Sequence, residues 1–257
     1  MPTRGRILPQ QYSRLGTNTY NYCESDVSRS VTPVISSKPL GRDIVPYIDI
    51  SFPITGKELP ADHGYFVLAA VSRLVPSIHG DPTLGIHPIR GHLIGNRRIA
   101  LNDNSRLVIR APHERFGEFI ELAGQQLHIG SDSIRLGVPE ARLLEPAPSL
   151  YSRLVVIKGC TEPEPFLQSA RRQLDKRGIR GRLGFVERLT DIPPVEGGQG
   201  SRSSILRRTL NVQGREIVGF ALRVDELEDE ESIMLQTHGI GGRRRMGCGI
   251  FVPLRWQ

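Results

Sequence analysis

The stretch "VPYIDISFPI", Val45–Ile54, followed by "LPADHGYFVLAAVSRLVPSIHG", Leu59–Gly80, sets the pattern on which the rest of the chain is organised. Its first part alternates and is rich in β-branched and aromatic residues, which predicts a strand. In its second part Asp62 is a suitable helix N-cap, and Pro76 and Gly80 close the segment. The residues that share helical spacing there are Tyr65, Leu68, Ala69, Ser72 and Val75. The stretch therefore predicts a strand followed by a helix.

Downstream of this helix the chain adds two strands, a helix and a strand. The stretches "GIHPIRGHLIG" (Gly85–Gly95) and "SRLVIRAP" (Ser105–Pro112) predict strands on either side of the turn-rich "NRRIALNDN". Apolar residues at helical spacing in "ERFGEFIELAGQQLHIG" (Glu114–Gly130) predict a second amphipathic helix. The stretch "DSIRLGVPEARLLEPA" (132–147) predicts one further strand. The order β-α-β-β-α-β is that of a ferredoxin-like unit.

After the junction "PAPSL" (Pro146–Leu150) the same order repeats. Helices are predicted at 162–178 and 228–239, and a hairpin turn at Gln213-Gly214. The predicted strands are "RLVVIKG" (Arg153–Gly159), "SSILRRTLNV" (Ser203–Val212), "REIVGFALRV" (Arg215–Val224) and "GIFVPLRW" (Gly249–Trp256). The Pro- and Gly-rich insertion at 182–203 is predicted to be a loop.

The two halves predict the α+β fold class, with tandem ferredoxin-like (RRM-like) βαββαβ units and a C-terminal glycine-rich loop. We assign the N-terminal ferredoxin-like domain to residues 44–147 and the C-terminal one to residues 148–257. Residues 1–43 are polar and lack clear periodicity, so we expect an extended basic arm that is either disordered alone or ordered against a partner.

The charge and cysteine content narrow the function classes. Lys and Arg outnumber Asp and Glu by 34 to 27, and only four of the basic residues are lysines. Arginine binds phosphate bidentately and stacks on bases, which favours a nucleic-acid partner, although a genomic bias toward arginine gives the same composition. The three cysteines form no CxxC pair, which argues against a zinc site or a disulfide framework. Without an apolar signal core or a long apolar run, the chain is expected to be cytoplasmic.

The segment "GIGGRRRMGCGIFVP", Gly239–Pro253, lies between the last predicted helix and the last predicted strand. Glycines allow close approach of a backbone to phosphate, and arginines add charge-assisted hydrogen bonds. The segment has no GxxxxGK[ST] pattern, and it does not join a first strand to a helix, which excludes a Walker or a Rossmann loop. A flexible turn that carries arginines is the alternative. The residues expected to contact phosphate are Gly241, Gly242, Arg243, Arg244, Arg245 and Gly247.

Together these features resemble the CRISPR-associated repeat-processing endoribonucleases, the sixth Cas family of the RAMP superfamily, and its MYXAN-type branch. The resemblance covers residues 45–257 and rests on "VPYIDISFPI", "LPADHGYFVLAAVSRLVPSIHG", "GIHPIRG" and "GIGGRRRMGCGIFVP". The glycine loop is the family's signature, and "DHGY" is more specific to the branch. The resemblance implies a metal-independent ribonuclease, without cofactors, that cuts a CRISPR repeat once at the 3′ base of its stem-loop. It also implies that the product stays bound.

Metal-free RNA cleavage needs a base for the 2′-hydroxyl, an acid for the leaving 5′-oxygen and a cation for the phosphate, and it leaves a 2′,3′-cyclic phosphate. Three of the seven histidines, which suit either proton transfer, lie close together at His63, His79 and His87. The resemblance implies that His79 is the first candidate, with a helix-end histidine as the alternative. His63 is a second acid or base, a repeat contact or a capping-region residue. His87 is the weakest of the three, and Ser72 stands where the family often has a tyrosine.

Arginines predict how the RNA is held. Arg90 or Arg73 would supply the cation at the phosphate, with solvated surface residues as the alternative. Those expected to contact the RNA stem are Arg171, Arg172, Arg177, Arg180 and Arg182 near one helix end, and Arg202, Arg207 and Arg208 on the hairpin. The acidic run Asp225–Glu231 is interpreted as a solvated helix start, and no metal site is expected.

Two other functions stay open at this stage. One is a catalytically weak or inactive crRNA-binding subunit, which Ser72 favours. The other is a metabolic enzyme that binds a nucleotide phosphate at the glycine loop. The expected partners are the CRISPR repeat RNA, in particular the crRNA 3′ stem-loop, and other subunits of a type I (Cascade-like) effector complex. The arm, residues 1–43, is expected to pack on one of those subunits or on RNA.

Overall fold

The computed structural model describes residues 45–188 and 204–254, so the predicted arm and Arg202 lie outside the described residues. Two antiparallel sheets, one from each half of the chain, carry separate hydrophobic cores. The two halves belong to one compact unit that spans residues 43–257. The predicted α+β class with two ferredoxin-like units is confirmed.

The first half contains nine strands and two helices in its described part. They are β1 (Tyr47–Thr55), β2 (Glu58–Pro60), α1 (Gly64–Leu74), β3 (Gly85–Ile86), β4 (His92–Gly95), β5 (Arg98–Ala100), β6 (Arg106–Pro112), α2 (Phe116–Ile120), β7 (Gln126–Ile129), β8 (Asp132–Leu136) and β9 (Glu140–Leu143). The main sheet has the order β3-β6-β1-β8-β7, with β9 also paired to β1, and β2-β5-β4 form a small separate sheet. Alternate residues of β1, from Ile48 to Ile54, are buried in one core with α1.

The second half repeats this strand order. Its elements are β10 (Leu150–Val155), α3 (Pro163–Asp175), β11 (Arg182–Phe185), β12 (Glu187–Arg188), β13 (Ser204–Ile205), β14 (Arg207–Val212), β15 (Arg215–Asp225), α4 (Asp229–His238) and β16 (Val252–Pro253). The sheet has the order β11-β15-β10-β16, with β14 paired to β15. The predicted β14–β15 turn is confirmed, because Gln213 and Gly214 both have positive φ, at 51° and 77°.

Three sequence predictions need correction. The helix predicted over Glu114–Gly130 ends at Ile120, and Gln126–Ile129 is a strand whose residues alternate between exposed and buried. The single strand predicted over 132–147 is divided into β8 and β9. The insertion predicted to be a loop opens with β11, which pairs with the end of β15 and takes the position expected for the second strand of the unit. Pairing with another strand decides these three segments: β7 with the adjacent β8, β8 and β9 with β1, and β11 with β15.

A buried arginine joins the two halves. Arg110 on β6 is 1% exposed and donates to both carboxylate oxygens of Asp49, at 2.7 Å each. Its Nη1 donates to the carbonyl oxygens of Gln236 at 2.9 Å and Phe251 at 2.7 Å. A buried charge is tolerated only when it is paired and hydrogen-bonded in this way. The residue therefore fixes α4 and the segment before β16 against the first sheet.

Candidate active site

His63, at the N-cap position of α1, is buried with 4% of its surface exposed. Its Nδ1 lies 2.9 Å from the carbonyl oxygen of Pro60, and its Nε2 accepts from the amide of Ile89 at 2.9 Å. An acceptor Nε2 places the ring proton on Nδ1 and requires a neutral ring. Burial lowers the pKa of His63 accordingly. Both nitrogens of His63 are engaged by protein groups away from solvent, which favours the alternative of a capping-region residue, and its role as an acid, a base or a repeat contact stays a prediction.

His79 lies just beyond the C-terminal end of α1 and, unlike His63, is exposed to solvent. It follows a one-turn 3-10 helix, Pro76–Ile78, and is exposed, with an extended backbone at φ −69° and ψ 123°. The carbonyl of the preceding residue, Ile78, accepts a hydrogen bond of 2.9 Å from Nη1 of Arg245 in the glycine-rich segment. The turn that presents His79 is therefore fastened to the glycine loop.

His87 lies against the ion pair that joins the two halves. Its Nε2 is 3.5 Å from Oδ1 of Asp49, the carboxylate that Arg110 binds. That nitrogen is enclosed and forms no hydrogen bond with any residue in the described part of the chain. Burial lowers the pKa of His87, and the neighbouring Asp49 opposes that shift in part. An enclosed Nε2 beside an ion pair is poorly placed to exchange protons with a substrate, and the catalytic role of His87 stays a prediction.

Ser72 is half-buried on α1. Its hydroxyl oxygen is enclosed and has no hydrogen-bond partner within residues 45–188 and 204–254. No base activates it, so it is not equipped for proton transfer or nucleophilic attack. The face of α1 that enters the core is formed by Val67, Ala70 and Val71, and Tyr65 points instead to the second half, where its hydroxyl accepts from Gln213 at 2.6 Å.

The glycines of the segment Gly239–Gly249 serve close backbone packing. A Cβ on Gly239 would lie 1.9 Å from the carbonyl oxygen of Gly249, and one on Gly241 would lie 2.5 Å from that of Val156. The amides of the three glycines predicted to bind phosphate already donate within the protein. Their acceptors are Gln173 Oε1 for Gly241, the Val156 carbonyl for Gly242 and the Arg244 carbonyl for Gly247. These amides are therefore already hydrogen-bonded within the protein, and contact of the three glycines with phosphate stays a prediction.

The three arginines of the loop differ from one another. Arg243 has a left-handed backbone, at φ 62°, and is exposed. Arg244 donates to the carbonyl of Thr237 at 2.6 Å, and burial lowers its pKa to about 10. Arg245 is held by the Ile78 carbonyl. Of the three, Arg243 is the most exposed to a ligand, whereas Arg244 is part of the loop's own structure.

The predicted stem-binding arginines also divide into two groups. Arg171 donates to Asp175 at 2.8 Å and to the Gly181 carbonyl at 2.8 Å, which makes it part of the α3–β11 connection. Internal partners are likewise found for Arg177, with the Gln173 carbonyl, for Arg180, with Glu231, and for Arg182, with Glu226. Arg180 and Arg182 are exposed despite these ion pairs, as are Arg172 and Arg207, and Arg208 is half-buried with an enclosed, unpartnered Nε in the described part. Arg90, in the first half, is exposed.

A cluster that the sequence did not indicate surrounds the His79 turn. Arg115 donates to both Glu118 and Asp81, and Ser77 donates to Glu118. The Arg115–Glu118 contact is local, but those of Arg115 with Asp81 and of Ser77 with Glu118 join positions 34 and 41 residues apart, which no local pattern reports. Within the described residues no group of His, Cys, Asp or Glu is arranged to hold a metal ion, and no helix is long and apolar enough to cross a membrane.

Comparison with known proteins indicates the same family by two routes, a family model and a curated relative. A family model described as Cas6 Crispr matches residues 48–255. The CRISPR-associated endonuclease Cas6 of Myxococcus xanthus (strain DK1622) is 31% identical to this chain over 211 residues, which cover 82% of this chain and 83% of that protein.

Solved structures agree on the fold. A CRISPR associated protein Cas6 aligns with a TM-score of 0.57 at 11% identity, over 82% of this chain and 99% of that one. A Cas6-related protein from Pyrococcus furiosus aligns with a TM-score of 0.58 at 14% identity, over 82% of this chain and 100% of that one. A RAMP protein described as binding different RNA substrates aligns with a TM-score of 0.58 at 15% identity, over 81% of this chain and 100% of that one.

Proposed function

Because the chain belongs to the Cas6 family, we propose that it is an endoribonuclease that cleaves the repeat stem-loop of precursor CRISPR RNA, with His79 as its proton-transfer residue. The observation that carries the proposal is the position of His79. Its ring is exposed, and its turn is hydrogen-bonded to the family's glycine loop through Arg245 and Ile78. The other two candidate histidines are enclosed by protein groups.

The proposed chemistry is a transesterification in which the exposed imidazole of His79 transfers a proton. The 2′-hydroxyl oxygen attacks the adjacent phosphorus, the bond to the 5′-oxygen breaks, and the products are a 2′,3′-cyclic phosphate and a 5′-hydroxyl. His79 either removes the proton from the 2′-hydroxyl or donates one to the leaving oxygen. Arg243, exposed at the loop, contributes positive charge toward the phosphate.

The second half would hold the RNA by its phosphates. Among the predicted stem contacts in the described part of the chain, ion pairs are formed by Arg171, Arg180 and Arg182. Arg172, Arg207 and Arg208 are proposed as the main phosphate contacts because no carboxylate there offsets their charge. Phosphate and shape recognition is the expected mode for an A-form stem. We further propose that the product hairpin stays bound, so that the protein remains at the crRNA 3′ end in a type I effector complex, with residues 1–43 as a contact to a neighbouring subunit.

The test is cleavage of the cognate repeat RNA in excess EDTA. We expect one cut at the 3′ base of the stem, an upstream fragment whose end resists ligation until the cyclic phosphate is removed, and co-elution of that fragment with the protein. Cleavage that requires added Mg²⁺, or a 3′-hydroxyl product, would contradict the mechanism.

One observation favours a second candidate, a crRNA-binding subunit with weak or no activity. Ser72 is enclosed and unpartnered, and His63 is committed to the protein, so His79 is left without a second acid or base among the predicted residues. The EDTA assay separates the two: tight, specific binding of the repeat without cleavage would identify the subunit.

A further inference from the structure

The turn that carries His79 is held by a hydrogen-bonded cluster. Ser77 Oγ donates to Oε2 of Glu118 at 2.6 Å. Arg115 donates to both oxygens of Glu118, from Nε at 2.8 Å and from Nη2 at 2.7 Å. Its Nη2 also lies 3.1 Å from Ser77 Oγ, and its Nη1 donates to Asp81. One guanidinium thus binds the residues two positions before and two positions after His79.

The cluster is itself well braced. The Arg115 side chain is 18% exposed, and its guanidinium lies 5.7 Å from the ring centroid of Phe119, which is buried. Asp81 Oδ1 accepts from the amide of Thr83 at 2.7 Å and from its hydroxyl at 2.6 Å. The hydrogen bond from Arg115 lowers the pKa of Glu118 to about 2, so that carboxylate is charged at any pH at which the protein would work.

The arrangement holds the backbone on both sides of His79 and leaves its ring exposed. Arg245 adds a third restraint through the Ile78 carbonyl. Isolated surface ion pairs contribute little to stability, about 0–1 kcal/mol. The contacts of this cluster with the six-residue turn 76–81 should therefore affect the local conformation of the turn more than the stability of the protein. It restricts the direction in which His79 leaves the backbone.

We propose that Arg115 is a positioning residue, which acts through His79 by fixing the turn 76–81 so that the imidazole meets the scissile phosphate in one orientation. The inference rests on the proposed function of His79. A misplacement of about 1 Å in a reacting group can cost on the order of a hundredfold in rate. Loss of the clamp would therefore slow the chemical step and leave RNA affinity almost unchanged.

The experiment compares Arg115→Ala with a matched control, Arg98→Ala. Arg98 also bridges two carboxylates in the first half, Asp132 at 2.7 Å and Glu58 at 3.0 Å, but on β5. We expect Arg115→Ala to lower the single-turnover cleavage rate in EDTA roughly 10- to 100-fold, with the Kd for repeat RNA within about twofold of the parent. The control Arg98→Ala should keep the cleavage rate and the Kd of the parent protein. If Arg115→Ala melts below the assay temperature, Glu118→Gln, which removes one charge of the clamp, takes its place.

A double-mutant cycle with His79→Ala separates the outcomes. If Arg115 acts through His79, adding Arg115→Ala to His79→Ala leaves the residual rate unchanged, whereas Arg115→Ala alone is slow. A full effect in the His79→Ala background, or no effect in the parent, overturns the positioning role and leaves the proposed function standing. A His79→Ala protein that cleaves at the parent rate overturns both.

Discussion

The two ends of helix α1 carry the same residue type in opposite states. His63, before the helix, is buried with both ring nitrogens hydrogen-bonded, and His79, after it, is exposed on a braced turn. In the sequence both lie next to a helix end, and only the family resemblance places His79 before His63 as a candidate. The difference shows that hydrogen-bond partners, not residue type or spacing, decide whether a histidine stabilises the protein or is free to exchange protons with a substrate.

The largest expected difference between substitutions of His79 and of His63 is in the rate of RNA cleavage. His79→Ala should lower the single-turnover rate on repeat RNA about 100-fold or more, because a general acid or base contributes that much. The stem-loop Kd should change less than about twofold. His63→Gln, measured at a temperature where it is folded, should keep the rate. A fully active His79→Ala protein, or an inactive His63→Gln protein that binds RNA normally, would reverse the comparison.

The second expected difference is in stability, where the substitution of His63 should have the larger effect. His63→Ala leaves the Ile89 amide and the Pro60 carbonyl without their buried partner, and each such group costs about 1–3 kcal/mol. We expect the free energy of unfolding, from urea denaturation, to fall by about 3 kcal/mol. His79→Ala, an exposed substitution, should change it by less than about 0.5 kcal/mol. Equal losses for the two variants would contradict the assignment.

The third difference is in pH dependence. The pKa of His63 is lower in the folded protein than in the unfolded chain, so as the pH falls below about 6.5 the unfolded state binds a proton first and stability is lost. His87 and His238, whose pKa values are also lowered, add to this loss. Between about pH 7 and pH 5, His63→Gln should lose roughly 1 kcal/mol less of its free energy of unfolding than the parent. Identical curves for His63→Gln and the parent would contradict a buried neutral ring.

The smallest expected effect is on the salt dependence of RNA binding. It concerns the glycine loop, which is hydrogen-bonded to the His79 turn. Arg243→Ala should reduce the slope of log K against log salt for repeat RNA by about one, since each lost phosphate contact has that effect. Arg142→Ala, on β9 and paired with Glu140 at 2.9 Å, serves as the control and should leave the slope unchanged. An unchanged slope for Arg243→Ala would mean that this arginine does not meet the RNA.

The sequence predicted the fold class well because its strongest signals are local. The alternation of Tyr47–Thr55, the helical spacing of Pro163–Asp175 and the Gln213-Gly214 turn each form the element that their pattern indicates. The predictions that fail concern short strands. Arg182–Phe185 pairs with the distant end of β15, and Gln126–Ile129 pairs with the next strand, Asp132–Leu136, across a two-residue connection.

The site was predicted less completely for the same reason. The "SIHG" motif indicated His79 as a candidate, and the side chain of His79 is exposed in the structure. The enclosure of His63 by Ile89 and the contact of Arg245 with Ile78 join positions 26 and 167 residues apart, which no motif reports. The same holds for the arginines: Arg243 and Arg244 are neighbours in a single run, yet one is exposed and the other is built into the fold.

The most direct test of His79 as the proton-transfer residue is chemical rescue. Because the His79 side chain is exposed, its removal should leave a site that a free imidazole molecule can enter from solvent. We expect the cleavage rate of His79→Ala in EDTA to rise with imidazole concentration, at the same scissile bond, while the parent and His63→Gln show no such dependence. A His79→Ala protein that is folded, binds the repeat normally and gains no activity from imidazole would contradict a proton-transfer role for His79.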